Sequence, residues 1–488
     1  MSASIATSDK KVAFTDEPSS ADSIQSLWTD FTQHTGFHGA NKLTPGHNYR
    51  LRCVTWTVAV LAMSAYMSFN IAKELIDYYR YPVITNTKFE VLEEVPFPAV
   101  TFCNQSPFNL SKVRAADPHL EEFLKNVSAL GSFRGPVNWS NPVLNRPTFR
   151  ESQSLDWWRN LHMDPGEMLY VCLMNGISYE PCWSAMKPVF TTLGYCATYN
   201  WNASDVTTVR VAGSDNNLLI YVKVDQINYV LGSQLSSGMK VILHDPRIHP
   251  DVAGTSFLAA PGTTTNAVIK RSTYQYLPPP YQAFKNRSCV DTLDPSFNNT
   301  LMYYDTYTYE NCLRECMTKI TYKICGCVTI SDNQAIGQYC SIQNLTKCYV
   351  PVYGYVMKNA TIRKQCDCQL PCSFDAYNVK VSSSKYPSDV SIRMILDIFL
   401  APDEEYITKN FLEIRLFYED LIVQSTEQIP KYTTETLIGN LGGQMGICLG
   451  ASILTVTELG EFLLIICLSI LRKCKRGGEL RHIKPLKH

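Results

Sequence analysis

The chain has 488 residues, and its 44 Lys and Arg balance its 44 Asp and Glu, so its formal net charge at pH 7 is +0. Such a chain has no basic field to attract nucleic acid, and a hydrophobic content of 45% excludes disorder as the main state. The 18 cysteines, unevenly spaced, argue against a reduced cytosolic enzyme. No P-loop, H-E-x-x-H or G-x-S-x-G motif occurs, and we predict no enzymatic activity, no cofactor and no metal site.

The first predicted element is a transmembrane helix at 51–74. Residues 1–50 are polar, whereas the 20 residues 53–72 carry no charge. A helix of that length crosses a hydrocarbon core of about 30 Å. Because the apolar segment lies far from residue 1, it predicts a retained anchor rather than a cleaved signal peptide.

The segment between the spans, 75–432, is predicted to be one disulfide-rich α+β domain. Alternating patterns predict strands at 97–103, 218–224, 239–245, 378–382 and 411–424, and helical spacing predicts helices at 151–172, 307–324 and 388–409, the last capped by Ser388 and Asp389. In the sequence HDPRIHP, His244, Asp245 and His249 have two interpretations. A surface turn forced by the prolines is the simpler one, and proton sensing is the other.

Sequons and cysteines predict that this domain lies outside the cell. All nine N-x-[ST] sequons fall within it, at Asn104, Asn109, Asn126, Asn138, Asn202, Asn286, Asn298, Asn344 and Asn359. An even number of cysteines, 14, lies between Cys103 and Cys372, whereas the remaining four lie in or beside the spans and are predicted to be free thiols. Zinc is the competing interpretation of the C-x-C pairs, but no histidine lies in 289–372.

The second span is predicted at 433–471 and is unusually long. Its apolar stretch, 436–471, has 36 residues interrupted only by Glu458 and Glu461. One straight helix of that length would measure about 54 Å, so the segment is broken, strongly tilted or extended beyond the lipid. Basic residues follow it from Arg472 and precede the first span, which predicts that both termini, 1–50 and 472–488, are cytosolic.

Small residues in the second span form one helical face. Gly442, Gly446 and Gly450 recur every four residues, with Gly439 and Gly443 beside them. Such a face allows close helix packing, and tight dimerisation with the two glutamates extending to the interface is one explanation. A ring of these helices would instead line an aqueous path whose inner carboxylates favour cations.

Five motifs resemble the degenerin/epithelial sodium channel superfamily, which includes the acid-sensing and peptide-gated channels. They are FPAVTFCN at 97–104, YLPPPY at 276–281, the cysteine-rich block 289–372, His38-Gly39, and LGGQMGICLGASILTVTEL at 441–459. The resemblance implies a plasma-membrane trimer, homomeric or built with related subunits. Each subunit would carry two transmembrane helices flanking a large disulfide-rich α+β ectodomain. The pore would pass sodium ions and be blocked by amiloride.

The resemblance also implies roles for individual residues. The selectivity filter would be Gly450, Ala451 and Ser452, and the pore lining would be Gly439, Asn440, Gly442, Gly443, Gly446, Glu458 and Glu461. The gating residues would be His38, Gly39, Tyr81 and Tyr281. The implied disulfides are Cys103–Cys196, Cys172–Cys182, Cys289–Cys372, Cys312–Cys368, Cys316–Cys366, Cys325–Cys348 and Cys327–Cys340.

Departures from the family pattern leave the stimulus open. The segment 349–365, which supplies carboxylates to an acidic pocket in acid-sensing relatives, contains none here. Pro82 and Val83 replace a pair of histidines, and Asn440 replaces a common Asp. Protons acting through His162, His244, Asp245 or His249, or a neuropeptide, are the candidate stimuli. A constitutive sodium leak, a non-conducting accessory subunit and, more distantly, an ATP-gated trimer are the alternatives.

Overall fold

The computed structural model describes residues 24–43, 50–128, 136–216, 218–231, 235–284, 287–332 and 336–479. The sequon at Asn286, most of the N-terminal segment predicted to be cytosolic and residues 480–488 lie outside the described residues, as do the side chains from Arg472 onwards. The chain divides into two compact units. One contains the described residues up to Pro82 and from Pro430, and the other is Val83–Ile429.

The described helices are numbered in chain order. They are α1 (Ile24–His34), α2 (Arg50–Tyr78), α3 (Leu110–Ala116), α4 (Leu120–Val127), α5 (Pro147–Arg150), α6 (Leu155–Leu161), α7 (Pro165–Met168), α8 (Tyr309–Cys325), α9 (Ile342–Asn344), α10 (Val350–Lys358), α11 (Ala360–Gln365), α12 (Ile392–Phe399), α13 (Glu404–Asn410), α14 (Thr434–Leu449) and α15 (Ile453–Glu479).

The strands are numbered in the same way. They are β1 (Val83–Val91), β2 (Val95–Pro96), β3 (Ala99–Asn104), β4 (Leu169–Met174), β5 (Ile177–Tyr179), β6 (Met186–Thr191), β7 (Gly194–Tyr199), β8 (Thr208–Val209), β9 (Leu218–Lys223), β10 (Met239–His244), β11 (Ser256–Ala259), β12 (Thr263–Gln275), β13 (Ser373–Lys385), β14 (Phe411–Tyr418) and β15 (Ile422–Pro430).

The first unit contains the membrane-spanning helices. By length and composition, α2 and the part of α15 at Ile453–Leu471 can each cross a membrane. The predicted second span is interrupted, because α14 ends at Leu449 and α15 starts at Ile453. Of the three explanations for its excess length, the structure therefore selects the break.

The second unit is built on two sheets with a shared core. The larger sheet has the order β1-β15-β12-β14-β9-β4-β5 with β13 paired to β12, and the smaller has the order β11-β10-β3-β7-β6. Strands of both sheets contribute to one hydrophobic cluster that includes Phe97, Phe102, Val241, Ile220 and Leu416, all fully buried. The predicted disulfide-rich α+β fold is confirmed.

Three predicted elements are shorter than the pattern suggested. The strand predicted at 411–424 is two strands, because Asp420 accepts a hydrogen bond from the Ile422 N–H at 3.0 Å and forms a turn. The helix predicted at 388–409 starts only at Ile392 and breaks at Leu400, whose φ is 49°. The helix predicted at 151–172 ends at Leu161, and its last residues belong to β4.

The structure forms seven disulfides, and their pairing is the one that the resemblance implies. The pairs are Cys103–Cys196, Cys172–Cys182, Cys289–Cys372, Cys312–Cys368, Cys316–Cys366, Cys325–Cys348 and Cys327–Cys340. These bonds use all 14 cysteines of the segment 103–372, so no thiolate is left there for zinc.

Candidate ion-conduction site

The break in the second span is centred on Gly450. This residue adopts a left-handed conformation (φ 63°), and its N–H donates to the Gly446 carbonyl at 2.9 Å while the Ala451 N–H donates to Met445 at 3.1 Å. These bonds satisfy carbonyls at the end of α14 and stop the helix. A Cβ at position 450 would lie 2.3 Å from Nδ1 of His38. Glycine is therefore required here by both conformation and space.

The chain restarts as a helix through a local cap. The Ser452 N–H donates to Oγ1 of Thr455 at 2.7 Å, and the Thr455 N–H donates to Oγ of Ser452 at 3.4 Å. Reciprocal bonds of this kind satisfy amides that have no partner in the first turn of a helix. The three residues 450–452 are thus held as a defined non-helical connection inside an apolar segment.

The N-terminal segment 24–43 lies against this break. The His38 N–H donates to the Leu449 carbonyl at 2.8 Å, so His38 closes part of the opened helix end. Its neighbour Gly39 also has a left-handed conformation (φ 84°), and a Cβ there would lie 3.0 Å from the Trp56 ring of α2. The dipeptide His38-Gly39 therefore fits between the break and the first span.

Contacts further along α15 hold the same segment. Oε2 of Glu458 accepts hydrogen bonds from Oγ1 of Thr35 and from the Gly36 N–H, both at 3.1 Å. The ring of Phe31 stacks on Phe462 with centroids 4.3 Å apart. The carboxylate of Glu458 is therefore occupied by the N-terminal segment, whereas Glu461 is exposed.

The glycine face of α14 is uncovered by the part of the chain that the structure describes. A Cβ added at Gly439, Gly442, Gly443 or Gly446 would meet no atom within 4 Å, whereas Asn440 is half-buried. On another side, Nε2 of Gln444 donates to Oε1 of Glu74 at 3.1 Å and links α14 to α2. The glycines are therefore available to neighbouring subunits or to a pore.

The two predicted gating tyrosines lie in different units. Tyr81 belongs to the first unit and has a left-handed conformation (φ 50°). Tyr281 belongs to the second unit, where its N–H donates to the Pro278 carbonyl at 3.2 Å. Their predicted coupling stays a prediction.

The candidate proton sensors are shielded from solvent, since His162 and Asp245 are buried and His244 and His249 are half-buried. His162 contacts Phe108 and Phe190, its Nδ1 lies 2.5 Å from the Trp158 carbonyl, and burial lowers its pKa to about 4. Burial, with the charge of Arg314, lowers the pKa of His249 to about 3. These two side chains stay neutral in mild acid, because the protein interior disfavours their charged form.

His244 and Asp245 are engaged with neighbours. Nε2 of His244 lies 2.8 Å from Oγ1 of Thr101, and burial lowers the pKa of this histidine. Burial acts to raise the pKa of Asp245, but two hydrogen bonds and the charge of Arg247 outweigh it, so the pKa lies below its ordinary value. The Arg247 pair is bidentate, at 2.8 and 2.6 Å. Sequence reasoning missed this pair and offered only a surface turn or proton sensing for the segment.

The predicted glycosylation sites differ in accessibility. Asn104 and Asn109 are 2% and 5% exposed, and Nδ2 of Asn344 donates to the Cys325 carbonyl at 3.1 Å. Asn359 is half-buried at the start of α11. The exposed sequon residues are Asn126, Asn138, Asn202 and Asn298.

Comparison with known proteins identifies the family. A family model described as amiloride-sensitive sodium channel matches residues 31–462. The chain belongs to this family. The match confirms the resemblance to the degenerin/epithelial sodium channel superfamily, whose members are ion channels rather than enzymes and form trimers.

Three relatives illustrate the level of similarity within the family. Acid-sensing ion channel 1 of Gallus gallus is 27% identical over 466 residues, covering 92% of this chain and 85% of that protein. Acid-sensing ion channel 2 of Homo sapiens is 26% identical and covers 89% of this chain and 85% of that protein. The bile acid-sensitive ion channel of Rattus norvegicus is 25% identical, with coverages of 89% and 86%. The family-model match at 31–462 includes α2, the second unit and the second span as far as Phe462.

Proposed function

We propose that this chain is the subunit of a trimeric, sodium-selective and amiloride-sensitive channel of the plasma membrane, gated from outside, with both termini in the cytosol. Family membership supports the sodium channel itself. The observation that carries the proposal is the break at 450–452, held by its own caps and by the N-terminal segment. A defined non-helical stretch inside a membrane span is tolerated only where it is buried or lines an aqueous path.

The proposed filter combines small side chains with backbone carbonyls at the break. The carbonyls of Met445, Gly446 and Leu449 accept N–H groups within the chain, and the other carbonyls of the last turn of α14, which have lost their helical partners, would coordinate a dehydrated cation. Gly450 and Ala451 allow three chains to approach closely, and the exposed Ser452 adds a hydroxyl. Glu461 would supply negative charge on the cytosolic side, while Glu458 holds the N-terminal segment in place.

The shielded histidines favour a ligand over mild acid as the stimulus. His162 and His249 have pKa values of about 4 and about 3, so neither changes charge in mildly acidic solution. The segment 349–365 has no carboxylate. The relatives' names report both acid and bile acid as stimuli, so the family does not fix one agonist. A neuropeptide or another extracellular ligand is therefore the proposed stimulus, with a constitutive leak as the alternative.

Whole-cell recording of the chain expressed alone tests the channel and its stimulus. Sodium current is measured while pH is stepped from about 8 to about 4, and then during application of amidated neuropeptides, with and without amiloride. Peptide-evoked, amiloride-sensitive current supports the proposal. Large current evoked at about pH 6 contradicts the assignment of the stimulus, because the shielded histidines would still be neutral.

A substitution in the glycine face separates a channel from an accessory subunit. Gly439→Phe places a bulky side chain where the glycine now meets nothing within 4 Å, and we expect a large steady sodium current. Ile438→Phe, at the adjacent exposed position, is the matched control. Normal surface expression of Gly439→Phe without any current, alone or with related subunits, would support the accessory subunit instead.

A further inference from the structure

A cavity of about 570 Å³ lies in the second unit, between the start of α8, the end of α11 and a loop whose described wall residues are Phe284, Arg287 and Ser288. Its apolar wall consists of Phe284, Tyr309, Leu313 and Leu370. The volume lies within the usual range for sites that bind small molecules. We call it the basal cavity. Its lining residues include none of the proposed filter residues, gating residues or proton sensors.

The polar wall of the basal cavity is strongly cationic. Arg287 comes from the loop, and Arg363 and Lys364 come from the last turn of α11, whereas Asp367 is the only carboxylate among the lining residues. Within the described part of the chain, none of the three cations takes part in an ion pair. The cavity therefore presents uncompensated positive charge beside an apolar surface.

The walls of the basal cavity are fixed by covalent bonds. Cys312 of α8 is bonded to Cys368, and Cys316 is bonded to Cys366, so α8 and the residues after α11 form one braced wall. On the loop side, Phe284 and Arg287 exchange two backbone hydrogen bonds of 3.0 Å. A cavity with such walls loses little conformational entropy when a ligand binds.

We propose that the basal cavity binds a small organic anion that has an aromatic or aliphatic body. The anionic group would face Arg363 and Lys364 of α11 and Arg287 of the loop, and the body would lie on Phe284 and Leu313. Arginine and lysine together offer several donors to a carboxylate or a sulfonate. The chemistry selects against neutral and cationic ligands, because Asp367 alone cannot balance three cations.

Binding at the basal cavity would restrain the part of the chain that leads into the second span. The loop residue before Phe284 is Ala283, whose carbonyl accepts a 2.9 Å hydrogen bond from Nε2 of Gln428 in β15. The strand β15 ends at Pro430, and α14 begins at Thr434. An anion that bridges α11 and the loop would therefore restrain the strand that leads directly into the channel helix.

Binding of 2-naphthoate to the purified full-length chain tests the proposal. The neutral 2-naphthamide tests the requirement for charge, and sulfate tests the requirement for an apolar body. Affinity is measured from the shift in the thermal unfolding midpoint and from saturation-transfer NMR, so the test does not depend on conduction. We expect 2-naphthoate to bind at least about tenfold more tightly than either comparison compound.

Three variants locate the site. Arg363→Gln with Lys364→Gln should weaken 2-naphthoate binding by about tenfold or more, and Asp367→Asn should strengthen it by about threefold. Lys323→Gln with Lys358→Gln removes the same charge from exposed positions outside the cavity and should change the affinity by less than about twofold. Each variant must elute and unfold as the parent does without ligand.

Other outcomes overturn the proposal. Equal binding of 2-naphthamide would show that charge is not recognised, and equal binding of sulfate would show that the apolar wall takes no part. Equal weakening by the control pair would show non-specific attraction to a basic surface. A failure of conduction in any of these proteins would bear on the channel proposal and not on the cavity.

Discussion

At the residue scale, the buried His162 makes the stability of the second unit depend on acid. The folded protein holds the pKa of His162 at about 4, whereas an unfolded histidine titrates at about 6.5. Between these values the unfolded state binds more protons, so stability is complete above about pH 6.5 and falls as the pH drops towards about 4. The loss attributable to His162 is about 3 kcal/mol in free energy of unfolding.

Two substitutions at this position test that linkage. His162→Gln and His162→Phe both remove the titrating group, and the second keeps an aromatic ring between Phe108 and Phe190. Each should reduce the fall in thermal unfolding midpoint between about pH 7 and about pH 4.5. An unchanged fall in both variants would show that other groups cause the acid sensitivity, and a change in one alone would point to packing.

Burial also divides seven of the nine sequons into sites that can and cannot carry a glycan. Asn104 and Asn109 use their side chains inside the fold, and Nδ2 of the half-buried Asn344 donates to both the Cys325 carbonyl and Sγ of Cys327. A glycan replaces a hydrogen on Nδ2 and must project into solvent, so these three should be unmodified. Asn126, Asn138, Asn202 and Asn298 are exposed and should be occupied. Glycopeptide mass spectrometry of the expressed protein shows which asparagines carry glycans. A glycan on Asn104 would contradict the burial of its side chain.

At the element scale, one polar contact joins the two spans. Nε2 of Gln444 in α14 donates to Oε1 of Glu74 in α2, whereas Oε2 of Glu74 and Oε1 of Gln444 are buried without a hydrogen-bond partner in the described chain. Polar pairs between membrane helices contribute modestly, at about 1 kcal/mol. Glu74→Ala should lower the thermal midpoint of the detergent-solubilised protein, whereas Glu74→Gln keeps an acceptor and should lower it less.

A double-mutant cycle isolates the contribution of that contact. Combining Glu74→Ala with Gln444→Leu should cost less than the sum of the two single changes, by about 1 kcal/mol. Ile76→Ala, at an exposed position on α2, serves as the control because it removes side-chain volume without a polar partner. Additivity of Glu74→Ala and Gln444→Leu would mean that the contact does not hold the spans together.

The sequence predicted correctly those strands and helices whose bounds follow from the local spacing of apolar residues. The strands at 218–224 and 239–245 are present to within one residue; the first alternates between buried and less buried positions, whereas Val241, Ile242 and Leu243 of the second are all buried. The start and the continuity of the helix predicted at 388–409 were wrong, since it begins only at Ile392 and is divided by the left-handed Leu400 and a new cap at Asp403. A single apolar spacing runs through both α12 and α13 and conceals the turn between them.

At the scale of the whole molecule, the candidate ion-conduction site depends on long-range contacts that cannot be predicted from the local sequence. The bonds from Thr35 and Gly36 to Glu458 join residues more than 420 positions apart. Nothing in the local pattern marks Glu458 as an acceptor for the N-terminal segment. The resemblance supplied His38-Gly39 and the filter tract separately, and only the fold brings Gly450 against His38.

The uncovered glycine face of α14 is a candidate contact between subunits. Gly442 and Gly446 lie on a face of α14 that nothing in the described chain covers, and family members form trimers. If this face packs against neighbouring copies, Gly442→Leu should reduce the trimer fraction several-fold, measured by light scattering of the purified protein. Ile447→Leu, at a position 86% exposed, keeps all four glycines and the side-chain volume and should leave assembly intact. A Gly442→Leu protein that remains trimeric but conducts no sodium would assign the face to the ion path instead of the subunit contact, because a bulky side chain there would block the path without separating the helices.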